Sequence, residues 1–178
     1  MINFEDMINS VRVKNPYVEG KEIDPSKLIF EERVKMSCFN CGKYSTNWKC
    51  PGNMPKNIDY EKMVKEFENG AFIILKLPFT EGNYNDVRTE SSVQLHKIML
   101  NLEKYLWDHD AALVLSFIGG SCKLCKNGCG RERCNNPYKS RSPVEAIGIN
   151  VIKSAALYDI PVSFPPEKVM MRLGLILW

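Results

Sequence analysis

The sequence lacks any apolar run of the length that a membrane-spanning helix requires. Its two longest runs, residues 71–79 and 111–120, reach half of the ~20 residues needed to cross a bilayer. The first ten residues are acidic and contain no basic stretch followed by an apolar one, so no signal peptide is predicted. These absences predict a cytoplasmic protein without a membrane partner, in which thiols stay reduced.

Several common functional motifs are also missing. There is no G-x4-G-K-[ST] loop, which argues against a P-loop nucleoside triphosphatase. A C-x3-C-x2-C triplet is absent, as is the C-x2-C-x2-C-x3-C-P run of two-cluster ferredoxins, so a standard radical-SAM enzyme or simple ferredoxin is not expected. The two histidines, His96 and His109, do not form a metal-spaced pair.

The composition is that of a folded globular chain. Of its 178 residues, 44% are apolar and 25% are charged, which is enough to build a core without disulfides. Hydrophobic periodicity predicts one domain over residues 1–178, of α/β or α+β class, with a single small sheet covered by helices. Helices are expected over 4–11, 60–67, 90–108 and 144–155, strands over 71–77, 111–118, 160–164 and 173–178, an extended segment over 28–34 and a loop over 16–25.

Seven cysteines occur in two tight groups. Three lie within 13 residues, four lie within another 13, and the 71 residues between the groups contain none. Cysteines that serve as small core residues would follow the apolar faces of helices and strands, whereas these lie among Asn, Gly, Lys and Pro. Clustered cysteines in a reducing compartment favour metal ligands. We therefore predict two metal-binding loops, 38–51 and 119–141, and name them the first and second cysteine segments.

The second cysteine segment has enough ligands for a complete site. Its spacing is C-x2-C-x3-C-x4-C, formed by Cys122, Cys125, Cys129 and Cys134. Zinc sites with four cysteines usually combine two C-x2-C knuckles, and only one knuckle is present. Closely spaced cysteines in one loop are typical of a 4Fe–4S cluster, which this spacing favours, with zinc as the alternative cofactor.

The second segment is also basic. Between residues 121 and 141 six cations face one carboxylate, while the whole chain has a net charge of only +3. The positive charge suits an anionic cluster, a redox partner protein or a small anionic substrate. The lack of interleaved aromatics argues against a nucleic-acid surface. The candidate cofactor-binding residues are Gly120, Lys123, Arg131, Arg133 and Arg141.

The first segment contains only three cysteines, Cys38, Cys41 and Cys50, in a C-x2-C-x8-C-P pattern. Three thiolates on a 4Fe–4S cluster leave one iron open to a substrate or another ligand, and an open metal acts as a Lewis acid. The two segments either hold separate centres or converge on one. Tyr44 and Trp48 either shield a cluster from water or anchor the core.

Three elements of the sequence form one pattern: Cys38, Cys41, Tyr44, Trp48, Cys50 and Pro51; Gly120, Cys122, Leu124, Cys125, Cys129 and Cys134; and Arg141, Ser142, Glu145, Ala146, Gly148, Ile149 and Val151. This pattern resembles that of a prokaryotic family of predicted metal-binding proteins of unknown function. One departure is Gly52, where many such sequences have a second proline. The resemblance implies metal or iron–sulfur binding in anaerobic or archaeal-type organisms, and it supplies no reaction.

These features are compatible with three functions. The leading hypothesis is a cytoplasmic protein that carries one or two 4Fe–4S clusters and exchanges electrons with a partner. The second is an iron–sulfur enzyme that uses the three-cysteine segment to bind an anionic or sulfur-containing substrate. The third is a zinc-stabilised structural or interaction module.

Overall fold

Antiparallel pairing of four strands organises the fold. A computed structural model describes residues 2–178 and shows one sheet in the order β1-β2-β4-β3. This α+β architecture, with a single sheet and helices around it, confirms the predicted fold class. The strands are β1 (Val18–Ile23), β2 (Gly70–Pro78), β3 (Leu115–Phe117) and β4 (Val169–Leu177), and the helices are α1 (Phe4–Arg12), α2 (Glu32–Asn40), α3 (Tyr60–Lys65), α4 (Tyr84–Asp108) and α5 (Val151–Ala156).

The sheet is covered on both faces, which explains the unbroken apolar run in β2. Ala71, Ile73 and Leu75 join one hydrophobic cluster with α1 and α4. Phe72 and Ile74 alternate with them and join a second cluster with α3 and α5. Successive residues of a strand point to opposite faces, so a strand buried on both faces needs apolar residues at every position.

The long helix and the N-terminal helix follow the sequence prediction. Helix α4 covers the predicted 90–108 and begins six residues earlier, at Tyr84. Helix α1 buries Met7, Ile8 and Val11 at the predicted spacing. Helix α3 is shorter than predicted, because it ends at Lys65 and Gly70 opens β2 instead of closing the helix. Within residues 2–178, no helix is both long and apolar enough to span a bilayer.

One loop prediction and one strand prediction were wrong. The expected loop over 16–25 contains the edge strand β1, which the pattern hides because only Val18 and Ile23 are buried. The expected strand over 160–164 does not form, and Pro161 within it has no backbone N–H to donate to a ladder. The strand expected over 111–118 shortens to β3, residues 115–117.

Two predictions around the cysteine segments were also wrong. The expected helix over 144–155 is divided into a 3-10 turn, Glu145–Ile147, and α5, because Gly148 adopts a φ of 94°. The residues just before the 3-10 turn instead pair with the chain that follows β3. There the Val144 N–H donates to the Ile118 carbonyl oxygen at 3.0 Å. The expected extended segment over 28–34 gives way to helix α2 from Glu32 onward.

A buried ion pair fastens the end of the second cysteine segment to α4. The Arg141 Nε donates to Glu103 Oε1 at 2.6 Å, and the Glu103 side chain is 2% exposed. Arg141 Nη1 also donates to the carbonyl oxygens of Tyr138 and Ser140, and Ser116 Oγ donates to Glu103. These bonds hold residues 138–141 against the helix and next to β3.

We expect Arg141→Ala to lower the free energy of unfolding by about 3 kcal/mol, since removing one partner leaves Glu103 buried and unpaired. Urea denaturation followed by circular dichroism measures the loss. Arg131→Ala, an exposed cation in the same segment, is the control and should change stability little. Equal losses in the two variants would contradict the structural role of Arg141.

Candidate metal centre

The first cysteine segment begins on a helix that is fastened at its start. The Glu31 carboxylate accepts hydrogen bonds from Arg33, Lys153 and Asn150, which lower its pKa to about 2. The Glu31 backbone N–H donates to the Gly148 carbonyl oxygen at 3.0 Å. This anchoring places α2 beside residues 145–153 and sets the position of the cysteine on its last turn.

The three thiols of the first segment differ in exposure. Cys38 on α2 is half-buried, and its Sγ donates to the Glu145 carbonyl oxygen at 3.8 Å. Cys41 caps the helix and is exposed, whereas Cys50 is buried. Burial raises the pKa of Cys50 to about 12. Repulsion from nearby cysteines of both segments raises this pKa further; the cysteines are Cys41, Cys38, Cys122 and Cys129. The two segments therefore lie next to each other.

A tight turn at Gly52 follows the first segment. Gly52 adopts a φ of 99°, which a proline ring fixed near −65° cannot reach. A Cβ atom at this position would also collide with the Ser45 side chain. The turn is closed by the Ser45 N–H, which donates to the Pro51 carbonyl oxygen at 2.9 Å.

The second cysteine segment leaves the edge strand β3, as predicted for a loop at a strand end. All four of its thiols are half-buried and line one cavity of about 580 Å³; they belong to Cys122, Cys125, Cys129 and Cys134. Asn136 Nδ2 donates to the Cys125 Sγ at 3.2 Å. The Cys134 Sγ lies 3.3 Å from the Ser140 Oγ. Polar groups thus already orient two of the four sulfurs.

Two hydrogen bonds join the segments directly. Asn47 Nδ2 donates to the Cys122 carbonyl oxygen at 3.0 Å, and Trp48 Nε1 donates to the Gly130 carbonyl oxygen at 2.7 Å. Gly130 has no room for a side chain, because a Cβ atom would collide with the Arg133 carbonyl oxygen. Trp48 therefore acts as an anchor between segments, and it also lines the cavity of the four thiols.

A second, larger cavity adjoins the first segment. It measures about 860 Å³ and is lined by Cys38, Cys41 and Cys50. We call it the three-thiol cavity, and the cavity of about 580 Å³ the four-thiol cavity. The linings of the two share four residues, Lys43, Thr89, Ser121 and Lys123. The two thiol groups are thus neighbours that open into adjoining cavities.

The structure separates the five predicted cofactor-binding residues. Gly120 lines the three-thiol cavity with a φ of 82°, and Lys123 lines both cavities. Arg131 and Arg133 are exposed and belong to neither lining. The Arg141 guanidinium is paired with Glu103, as described above. Only Gly120 and Lys123 are therefore brought to the thiols.

Two other residues of the three-thiol cavity, Arg88 and Arg172, had no signal in the sequence that marked them. Arg88 comes from α4 and Arg172 from β4, far along the chain from either cysteine segment. Glu145 contributes a carboxylate with a buried Oε2. Burial raises the pKa of Glu145, against the opposing effects of its own backbone amide, Arg172 and the Gly120 amide. Packing of the sheet and α4 brings these groups together.

The donor chemistry of the four-thiol cavity fits a metal centre. Four cysteine sulfurs surround one cavity, and an amide N–H points at one of them, as is usual around metal-bound thiolates. Among residues 2–178, no three Cys, His, Asp or Glu side chains are already clustered tightly enough to hold a single ion.

The fold and these cavities describe an α+β protein whose seven cysteines line two adjoining cavities. The chain belongs to the family of predicted metal-binding proteins DUF2284, whose model matches residues 21–178. Both cysteine segments lie within the matched range. No curated protein and no solved structure gives a significant match. Metal binding is therefore the property that the family supports.

We expect Trp48→Phe to speed the loss of metal to a chelator, because it removes the bond between Trp48 Nε1 and the Gly130 carbonyl oxygen. Loss of one such hydrogen bond should also cost about 1 kcal/mol in the free energy of unfolding. Trp107→Phe, at an exposed position on α4, is the matched control. Equal rates of metal release in the two variants would show that Trp48 does not hold the segments together.

Proposed function

We propose that the chain binds a 4Fe–4S cluster through Cys122, Cys125, Cys129 and Cys134. The observation that carries this proposal is the single cavity of about 580 Å³ that all four sulfurs line. A tetrahedral zinc ion draws its four sulfurs to about 2.3 Å from one point. Four closely spaced thiols in one loop that line a single cavity suit the larger body of a cluster. Such a cluster supplies one-electron chemistry when it is bound.

The surroundings support a role in electron exchange with a partner protein. Asn136 donates to the Cys125 sulfur, and N–H groups that point at sulfur adjust the reduction potential of a cluster. Lys123 lines the same cavity, and positive charge near an anionic cluster favours its reduced form. The exposed Arg131 and Arg133 suit contact with an acidic partner surface. The reduced thiols that this role requires suit a cytoplasmic location in an anaerobe.

We expect protein purified without oxygen to contain iron and inorganic sulfide in equal amounts, at about four of each per cluster. A broad absorption band at the violet end of the visible range should accompany them and decrease on reduction. Cys125→Ser should remove one cluster's iron and sulfide. Lys126→Ala, which leaves every cysteine of the segment in place, is the control and should keep them.

A colourless protein that contains zinc and no sulfide would contradict this proposal. It would favour the zinc-stabilised interaction module in its place. An unchanged iron content in Cys125→Ser would instead show that the cluster is held elsewhere, so the two results separate the identity of the metal from the identity of its ligands.

The three-thiol cavity favours a second candidate, an iron–sulfur enzyme. Its three cysteines supply one ligand fewer than a closed cluster needs, and they open into about 860 Å³. An open coordination position beside a cavity is the arrangement of catalytic metal sites, and closed ligand sets are structural. Here the chain's own residues would bind and orient an anionic or sulfur-containing substrate, with Lys123 and Arg172 at the cavity wall.

This candidate predicts that Cys41→Ala and Cys50→Ala each lose a second set of iron and sulfide and keep the set held by the second segment. Cys41 is exposed, so its variant should fold even if the buried Cys50 variant does not. Iron analysis and absorption spectra of both proteins check the expectation. Iron content and spectra that match the unmodified chain would exclude a centre on the first segment.

A further inference from the structure

The three-thiol cavity has the size of a small-molecule site. Its volume of about 860 Å³ falls within the range of roughly 300–1,000 Å³ found for ligand pockets. Its wall combines residues from α2, α4, β4 and both cysteine segments. The site thus belongs to the assembled fold and not to one loop.

The wall of this cavity has an excess of positive charge. Lys43, Arg88 and Lys123 line it, and their side chains have no hydrogen-bond or ion-pair partner among residues 2–178. Arg172 is held by Ser91 and by the Arg88 carbonyl oxygen through Nε and Nη2, and its Nη1 faces Gly120 without a partner in the described chain. Four cations without an ion-pair partner among residues 2–178 therefore line one cavity, and a fifth, Arg33, is paired with Glu31.

These cations also act on one another. Burial and repulsion from Arg88 lower the pKa of Arg172, and attraction to Glu145 opposes that change. Like charges held together in a partly buried place favour the binding of an anion, which relieves their repulsion.

Glu145 is the only carboxylate in the wall. Its Oε2 is buried and has no hydrogen-bond partner among residues 2–178. A buried oxygen without a partner costs free energy unless a ligand or water completes it. A hydroxyl group can both donate and accept, so it pairs with this carboxyl group whether the carboxyl is charged or neutral.

We propose that the three-thiol cavity binds a small-molecule dianion that carries a hydroxyl group. The anionic groups contact Arg88, Lys123 and Arg172, and the hydroxyl contacts Glu145. This inference extends the second candidate function by naming its class of substrate. The binding itself does not require a particular metal on the cysteines.

The test uses metal-loaded protein purified without oxygen, at constant ionic strength, with titration calorimetry as the measurement. Malate has two charges and a hydroxyl, succinate has the charges alone, and lactate has the hydroxyl with one charge. We expect malate to bind saturably and more tightly than either of the other two. Arg88→Gln and Lys123→Gln should each lower the affinity for malate roughly tenfold, which is the effect of losing one charge-assisted hydrogen bond.

Lys97→Gln is the matched control, because Lys97 is an exposed cation on the same helix as Arg88 and lies outside the cavity wall. It should leave the affinity for malate unchanged. An equal loss in Lys97→Gln would overturn the site and indicate general charge attraction. Absence of saturable malate binding would also overturn the proposed site. The cations would then serve to neutralise the charge of the metal centre. Equal binding of malate and succinate would remove Glu145 from the proposal.

The absorption spectrum and metal content of each variant are recorded in parallel. Arg88 lies on α4, away from the cysteines in sequence, so Arg88→Gln should keep both properties. Failure of the proposed cluster would appear in the spectrum and metal content. Failure of the anion site would appear only in the binding isotherm.

Discussion

The arrangement of the functional region depends on two hydrogen bonds between segments that have little regular structure of their own. Asn47 and Trp48 donate to the carbonyl oxygens of Cys122 and Gly130. An irregular segment must find partners for its backbone polar groups outside helices and sheets. Here each cysteine segment supplies partners for the other, so neither thiol group is positioned independently. The two adjoining cavities and their shared lining follow from this contact.

The charges of the second segment have three different roles. Arg141 forms an ion pair with Glu103, and this pair holds the segment against α4. Arg131 and Arg133 face solvent, where an isolated charge adds little to stability but can steer an encounter with a partner. Lys123 joins the walls of both cavities, among cations from other elements. The basic composition of the segment therefore does not form one continuous surface.

The sequence predicted best where many residues share one constraint. The apolar run of β2 and the periodic face of α4 each repeat the same signal over many positions, and both elements form. Prediction failed where one residue or a distant pairing decides the structure. The helix expected over 144–155 is broken by the left-handed conformation of Gly148 and by pairing of Val144 with Ile118. Strand β1 has too few buried residues for its pattern to be read.

The spacing of the seven cysteines predicted metal-binding loops from the sequence alone, because metal ligands in one loop must be close along the chain. It identified both thiol groups and the family to which the chain belongs. The sequence alone did not indicate that Arg88, Glu145 and Arg172 share a cavity with the first group. These residues are brought together by the pairing of β4 within the sheet and by the packing of α4 on it. Only the tertiary structure decides such a site, since its groups have no fixed separation along the chain.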